Sequence, residues 1–207
     1  MGLYADHIFP RVMDWVLRDP RFQKERQQAL VPVRGRALEI GFGTGLNLPH
    51  YPSGVTWLTG IDSAALLEAK VAERSVGLSM PVEVLRRNAE ALPFADRQFD
   101  CVISTWTLCS IRDVHAALRE VRRVLKPGGR LVFLEHGRSD DPRVAKWQDR
   151  LNPIQRIIAC GCNLNRRIDR LIVEAGLTIE RQDRYVLPGI PRIAGDMYRG
   201  VAILAVA

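Results

Sequence analysis

The chain has 207 residues, 47% of them hydrophobic, and its 30 basic and 23 acidic side chains leave a net charge of +7. That length and composition suit one globular domain with a real core, or one with a small appendage. No run of about 18 apolar residues is present to span a membrane, and Asp6, His7, Arg11 and Asp14 interrupt any secretory signal pattern, so cytoplasm is the expected location.

Leu3, Ile8, Val12, Trp15 and Val16 recur at roughly helical spacing despite Pro10, which predicts one helix or two short ones over residues 3–18. Residues 19–30 are polar, break at Pro20 and read as helical beyond it. Residues 1–30 therefore form an N-terminal helical segment, either a lid over a substrate pocket or a helix packed on the sheet edge. Residues 31–207 form the main domain. Within it, residues 37–40 are an apolar run that reads as a buried parallel strand. Gly41, Gly43 and Gly45 follow, a turn that lets main chain approach a ligand closely. Residues 46–51 read as the mouth of a helix whose free N–H groups attract polar or anionic ligand groups.

A second strand, residues 55–61, ends at Asp62, about twenty residues beyond the glycines, where a carboxylate accepts both hydroxyls of a ribose. Asp62-Ser63 also suits the cap of a helix over residues 64–74. Strands follow at 82–85 and 99–104. Val114, Ala117, Leu118, Val121, Val124 and Leu125 make a helical stripe over 113–125, capped by Asp113 and stopped by Lys126-Pro127-Gly128-Gly129. A strand covers 130–135. Helices are expected over 141–151, broken by Asn152-Pro153, then over 154–159 and 168–175. Two strands, 177–187 and 197–205, are joined without a helix. The fold class is α/β, a doubly wound, mostly parallel seven-stranded sheet of Rossmann-like type, with its last strand antiparallel at the sheet's end.

Gly-x-Gly-x-Gly is neither the Gly-x-Gly-x-x-Gly of dinucleotide sites nor a phosphate-cradling P-loop. Cys101, Cys109, Cys160 and Cys162 do not form a disulfide framework. Cys160-Gly161-Cys162 is too tight for the usual zinc spacing and no second Cys/His pair partners it, so no metal is expected. The basic residues are scattered among acids; no nucleic-acid partner is expected, and contact with an anionic membrane surface is allowed.

Glu39-x-Gly41-x-Gly43-x-Gly45, Asp62, Asn88-Ala89-Glu90-Ala91-Leu92-Pro93-Phe94, Phe99-Asp100 and Leu125-Lys126-Pro127-Gly128-Gly129 resemble, in that order, the motifs of the class I S-adenosyl-L-methionine (SAM) methyltransferases. The resemblance implies that the glycines pass under the methionine part of SAM and that Glu39 organises the loop near its amino group. It also implies that Asn88, standing where an Asp is usual, contacts the adenine amine while Ala89 supplies a backbone N–H. An amide oxygen still accepts from that amine. SAM is the expected cofactor, held by Glu39, Gly41, Gly43, Gly45, Asn47, Asp62, Ser63, Asn88, Ala89, Thr105 and Trp106.

Thr107-Leu108-Cys109-Ser110-Ile111, Glu135-His136 and Gly161-Cys162-Asn163-Leu164-Asn165-Arg166 further resemble the animal thiol S-methyltransferases and their bacterial relatives. The implied activity moves a methyl from SAM to a small, rather apolar acceptor, a thiol first. Alternatives are a quinone or phenol, a phospholipid amine, RNA, or a SAM-binding regulator without turnover. Methyl transfer is an in-line displacement, so the acceptor must be held about 3 Å from the methyl. It belongs past the strands at 99–104 and 130–135, beside Cys109 and Asn163, with Tyr4 and His7 closing the pocket. His136 is the candidate base because its ordinary pKa is near neutral, or else it ties down its loop. Glu90 is the second candidate base, or else a solvated acid.

Overall fold

A computed structural model of the chain describes residue 4 and residues 8–64 and 68–205. Seven strands form one sheet: β1 (Gly35–Ile40), β2 (Val55–Asp62), β3 (Val82–Arg86), β4 (Phe99–Thr105), β5 (Leu125–His136), β6 (Thr178–Val186) and β7 (Asp196–Ile203). Their order is β3-β2-β1-β4-β5-β7-β6. β1 to β5 pair in parallel, and β7 runs antiparallel to both β5 and β6. The doubly wound sheet is as expected, with one difference. The antiparallel strand lies one place in from the edge. Met197, Tyr198, Val201 and Ala202 of β7 are buried, whereas β6 exposes Glu180, Arg181 and Asp183, so the more polar strand takes the open edge.

The helices are α1 (Phe9–Val16), α2 (Pro20–Leu30), α3 (Glu68–Ser75), α4 (Val114–Val124), α5 (Pro142–Ile158), α6 (Ile168–Glu174) and α7 (Arg192–Gly195). Side chains alternate across each strand, and the sheet buries both faces. Leu38, Ile40, Val102 and Phe133 join the α4 stripe and Ile168 and Ile172 of α6 in one cluster. Ala37, Cys101, Ile103 and Val132 face the other way, against Leu30, Phe42 and Leu48. Each fully buried Leu or Ile contributes roughly 1.5–3 kcal/mol. Asp113 caps α4 as expected, accepting from the Ala116 N–H at 2.9 Å.

Three expected elements differ. The last two strands, expected to be joined without a helix, have one short helical turn between them, α7, which starts straight after Pro191. Residues 46–51 contain only a 3₁₀ turn, Leu48–His50, because Pro49 and Pro52 lack the N–H groups that a continuing helix requires. The offered helix mouth is therefore absent. Asn152-Pro153 does not break α5, which runs on to Ile158 with Pro153 inside it. The Asn152 side chain fastens this stretch instead, accepting from the Leu164 N–H at 2.8 Å and donating to Asn163 at 3.3 Å.

The expected helix near the N-terminus forms, but it faces the other way. Ile8, Val12 and Trp15, the apolar stripe, are exposed, and Asp14 is the buried residue of α1. β1 and β4 are neighbours although β1 leads to β2 on its other side. This reversal opens a crevice at their carboxyl ends.

Candidate active site

The glycine loop leaves β1 at this crevice. Gly41 and Phe42 donate their N–H groups to the Ile61 carbonyl, each at 2.9 Å, which lashes the loop to β2. Gly41 and Gly43 both have positive φ, +71° and +57°, the left-handed region that glycine tolerates. Their surroundings differ. A Cβ on Gly41 would stand 2.1 Å from the Thr107 hydroxyl oxygen, whereas one on Gly43 would meet nothing of the described residues within 4 Å. Gly41 is therefore a packing glycine, whereas the main chain of Gly43 is bare among the described residues.

Beneath the loop lies a buried polar network. The Glu39 carboxylate accepts from the Asn47 amide at 2.8 Å and from the Tyr51 hydroxyl at 2.7 Å. Arg26, on α2, donates to the Asn47 amide oxygen at 2.7 Å and the Thr105 hydroxyl at 3.2 Å. Its guanidinium lies 4.8 Å from the centre of the Trp106 ring, within cation–π range. Burial raises the Glu39 pKa to about 7, although Tyr51, Arg26 and Asn47 work to lower it. Burial also lowers the Arg26 pKa to about 10.

A raised carboxyl pKa makes the folded protein hold a proton that the unfolded chain has released. Stability therefore falls as pH rises through the window from 4.5 to about 7. In Glu39→Gln this contribution disappears, so the wild-type-minus-variant unfolding free energy should decline across that window. A difference that stays flat in urea titrations at successive pH values contradicts the protonation behaviour.

Asp62 stands at the tip of β2 as the spacing predicts. One carboxylate oxygen accepts from the Gly43 N–H and the other from the Ala64 N–H, both at 2.8 Å. Burial raises its pKa, opposed by these N–H groups. The carboxylate thus faces the glycine loop and closes the following turn at once, and each oxygen keeps a further lone pair. Ser63 is exposed beside it, and its carbonyl accepts from Arg86 at 3.3 Å. At the end of β3, Asn88 turns its amide oxygen back to the Glu90 N–H at 3.1 Å, and Ala89 is buried in the core. The Glu90 carboxylate accepts from the Asp113 N–H at 2.8 Å and the Asn88 amide at 3.3 Å. That is a loop fastening, and it occupies the group offered as a second base.

The tips of β4 and β5 carry the remaining candidates. Trp106 has φ +51°, a strained value for a bulky residue, and its ring meets Phe22 of α2 edge-on at 5.4 Å. It packs under α2 beside Arg26. Glu135, fully buried, accepts from the Ser104 hydroxyl at 2.6 Å and from the Thr107 and Leu108 N–H groups at 3.1 Å, so it shapes the loop after β4.

His136 ends β5 with Nε2 at 3.1 Å from the Cys162 sulfur. Burial works to lower the His136 pKa, but the Cys162 sulfur and the Glu135 carboxylate outweigh it and the net shift is upward. Cys109 adjoins the same pair: Cys109, His136 and Cys162 each bring one ligating atom within 4.8 Å of the others. The expectation that Cys162 has no Cys/His partners does not hold, because its partners are remote in sequence. Asn163 donates its side-chain amide to the carbonyls of Cys109 and Gly161, at 2.8 and 2.9 Å, and so ties two loops together.

The N-terminal segment contributes what sequence reasoning missed. Asp14 accepts from the Thr44 hydroxyl of the glycine loop at 2.5 Å and from Arg74 at 2.8 Å, with Arg18 and Lys70 also bound to it. Burial works to raise its pKa, but Lys70, Thr44, Arg18 and Arg74 together hold it well below the usual carboxylate range. α1 is thereby clamped to the glycine loop and to α3. Tyr4 donates to the Ile158 carbonyl at the end of α5 at 2.7 Å, next to the loop that carries Cys162, and His7 lies outside the described residues.

Residues 38–133 match the methyltransferase domain family. The thiol S-methyltransferase TMT1B of Rattus norvegicus is 35% identical over 135 residues, which cover 62% of this chain and 54% of the relative. The ubiquinone/menaquinone biosynthesis C-methyltransferase UbiE of Hahella chejuensis (strain KCTC 2396) is 38% identical over 117 residues, covering 54% and 47%. The chain spans about half the length of these curated relatives. The N-methyltransferase NodS from Bradyrhizobium japonicum WM9, solved with S-adenosyl-L-homocysteine, aligns with a TM-score of 0.71 over 96% of this chain and 97% of its own, at 18% identity. That last likeness is one of fold.

Proposed function

Because residues 38–133 match the methyltransferase domain family, we propose that the chain moves a methyl group from SAM to a small, rather apolar thiol. SAM supplies a methyl group on a sulfonium, already activated for displacement. The observation that supports SAM here is the main chain of Gly43, bare of any described residue within 4 Å of a Cβ and with the Asp62 carboxylate bonded to its N–H. Gly43 leaves room for the ligand, Asp62 offers its free lone pairs to the ribose hydroxyls, and Glu39 keeps the loop in shape through Asn47 and Tyr51. Asn88 and Ala89 stand one strand further on, where the base would end.

The thiol reading rests on His136. An imidazole beside sulfur at the tip of β5 suits a substrate whose own sulfur must lose a proton before it attacks. Holding the acceptor at this tip, next to the glycine loop, supplies the alignment that in-line transfer needs. A C-methylating quinone enzyme is the second reading, and the likeness to UbiE favours it.

A panel of thiols, phenols, quinones and amines, assayed for S-adenosyl-L-homocysteine release, separates these readings. Turnover with apolar thiols is expected, falling at least tenfold in His136→Ala at neutral pH and recovering as pH approaches the acceptor's own pKa. Turnover with a quinone alone would replace the thiol reading. A His136→Ala enzyme with an unchanged pH profile would remove the proton-handling role.

A further inference from the structure

Cys109, His136 and Cys162 come from three separate parts of the chain: the loop after β4, the last residue of β5, and the loop between α5 and α6. Their ligating atoms lie within 4.8 Å of one another, and His136 Nε2 is 3.1 Å from the Cys162 sulfur. Tetrahedral zinc bound to sulfur and imidazole places its ligand atoms roughly 3.5–4 Å apart, so small side-chain adjustments suffice. Cys109 and His136 are buried, at 2% and 8% exposure, and Cys162 is half-buried.

The scaffold around these groups is already built. The Asn163 N–H and side-chain amide both donate to the Cys109 carbonyl, at 2.9 and 2.8 Å. Arg166 donates to the Leu108 and Ile111 carbonyls on either side of Cys109. The two cysteine-bearing loops are thus locked to each other by the residues that flank the sulfurs, as outer-shell partners lock metal ligands. Nε2 is the His136 nitrogen that faces the Cys162 sulfur; the other, Nδ1, is buried with no hydrogen-bond partner among the described residues. Two thiolates and one neutral imidazole balance a divalent cation, so the Arg166 charge nearby does not oppose it.

We propose that Cys109, His136 and Cys162 form a zinc site with three protein ligands and one open position. Its use rests on the methyl-transfer reading above: zinc would lower the pKa of a thiol in the fourth position, so the acceptor would bind as the thiolate with its S–H proton released to solvent, and His136 would be a ligand in place of the base role given to it above. The thiolate sulfur would then form its bond to the methyl carbon as the sulfonium C–S bond breaks and S-adenosyl-L-homocysteine leaves.

The test uses the full-length chain, reduced and stripped of metal, then titrated with Co²⁺ and Zn²⁺ alone. One Co²⁺ per chain is expected, with thiolate-to-cobalt absorption and the visible bands of tetrahedral coordination, displaced by Zn²⁺. Cys109→Ser, Cys162→Ser and His136→Ala should each weaken binding at least tenfold, and Cys160→Ser should leave it unchanged. X-ray absorption on the zinc-loaded wild-type protein needs no variant and should show two sulfur ligands. A shell of nitrogen and oxygen only overturns the site. So does a Cys109–Cys162 disulfide that, once reduced, gives no cobalt spectrum. Metal-free protein that methylates a thiol as fast as the loaded form overturns the zinc role and leaves the transferase reading intact. Protein that binds zinc through these sulfurs but neither SAM nor its product keeps the site and removes the transferase reading.

Discussion

A Gly43→Val protein is expected to lose S-adenosyl-L-homocysteine affinity by at least a hundredfold while it still folds. A Cβ at Gly43 meets no atom of the described residues within 4 Å, so a side chain there projects into the hollow proposed for the ligand. The backbone cost of a side chain at φ +57° is about 1–2 kcal/mol, which a domain with roughly 5–15 kcal/mol of stability survives. Gly41 provides the contrast, since its Cβ would collide with Thr107 at 2.1 Å and Gly41→Ala should damage the fold itself. Calorimetric titration beside a thermal melt separates the two effects. A Gly43→Val protein that binds the product normally would place the cofactor elsewhere.

Arg26→Met should be among the most destabilising single changes in the chain. Arg26 is only 4% exposed, and Glu39 beneath the loop is 1% exposed. Removing the cation leaves the Asn47 amide oxygen without its donor and pushes the Glu39 carboxyl, already raised to about 7, further toward its protonated form. A buried acceptor left unsatisfied costs about 1–3 kcal/mol, a fall in melting temperature of roughly 2–12 °C for a domain of this size. Glu39→Gln in the same protein should recover part of that loss above about pH 7, because an amide there carries no charge for the missing cation to balance. Additive effects of the two substitutions in a double-mutant cycle would deny the coupling.

The strands and the glycine loop were legible because their signals are local. Residues 37–40, 55–61 and 99–104 are apolar runs of strand length, and the parallel pairing follows from alternation with helices. The helix expected after Gly45 failed where two prolines outweighed the usual continuation of such a loop. α1 was found and turned the wrong way, since the apolar side chains Ile8, Val12 and Trp15 are exposed while Asp14 is buried. The cause is charge: Arg18, Lys70 and Arg74 converge on Asp14 from two elements, and periodicity carries no sign of that convergence.

The same holds at the site. Arg26 sits in a polar helix whose pattern does not say which arginine goes inside. Cys109, His136 and Cys162 meet only because the loops after β4 and α5 and the end of β5 converge at one end of the sheet. A buried cluster assembled from positions 109, 136 and 162 leaves no spacing to read.

The central claim, that the tips of β1, β2 and β3 together hold one SAM molecule, is tested most directly by calorimetric titration of the wild-type protein with S-adenosyl-L-homocysteine. The expected result is a single site per chain, weakened at least tenfold in Asp62→Ala, with the melting temperature of the free protein lowered by only about 1–8 °C through the two lost N–H contacts. No heat of binding to the wild-type protein, or full affinity in Asp62→Ala, would contradict it.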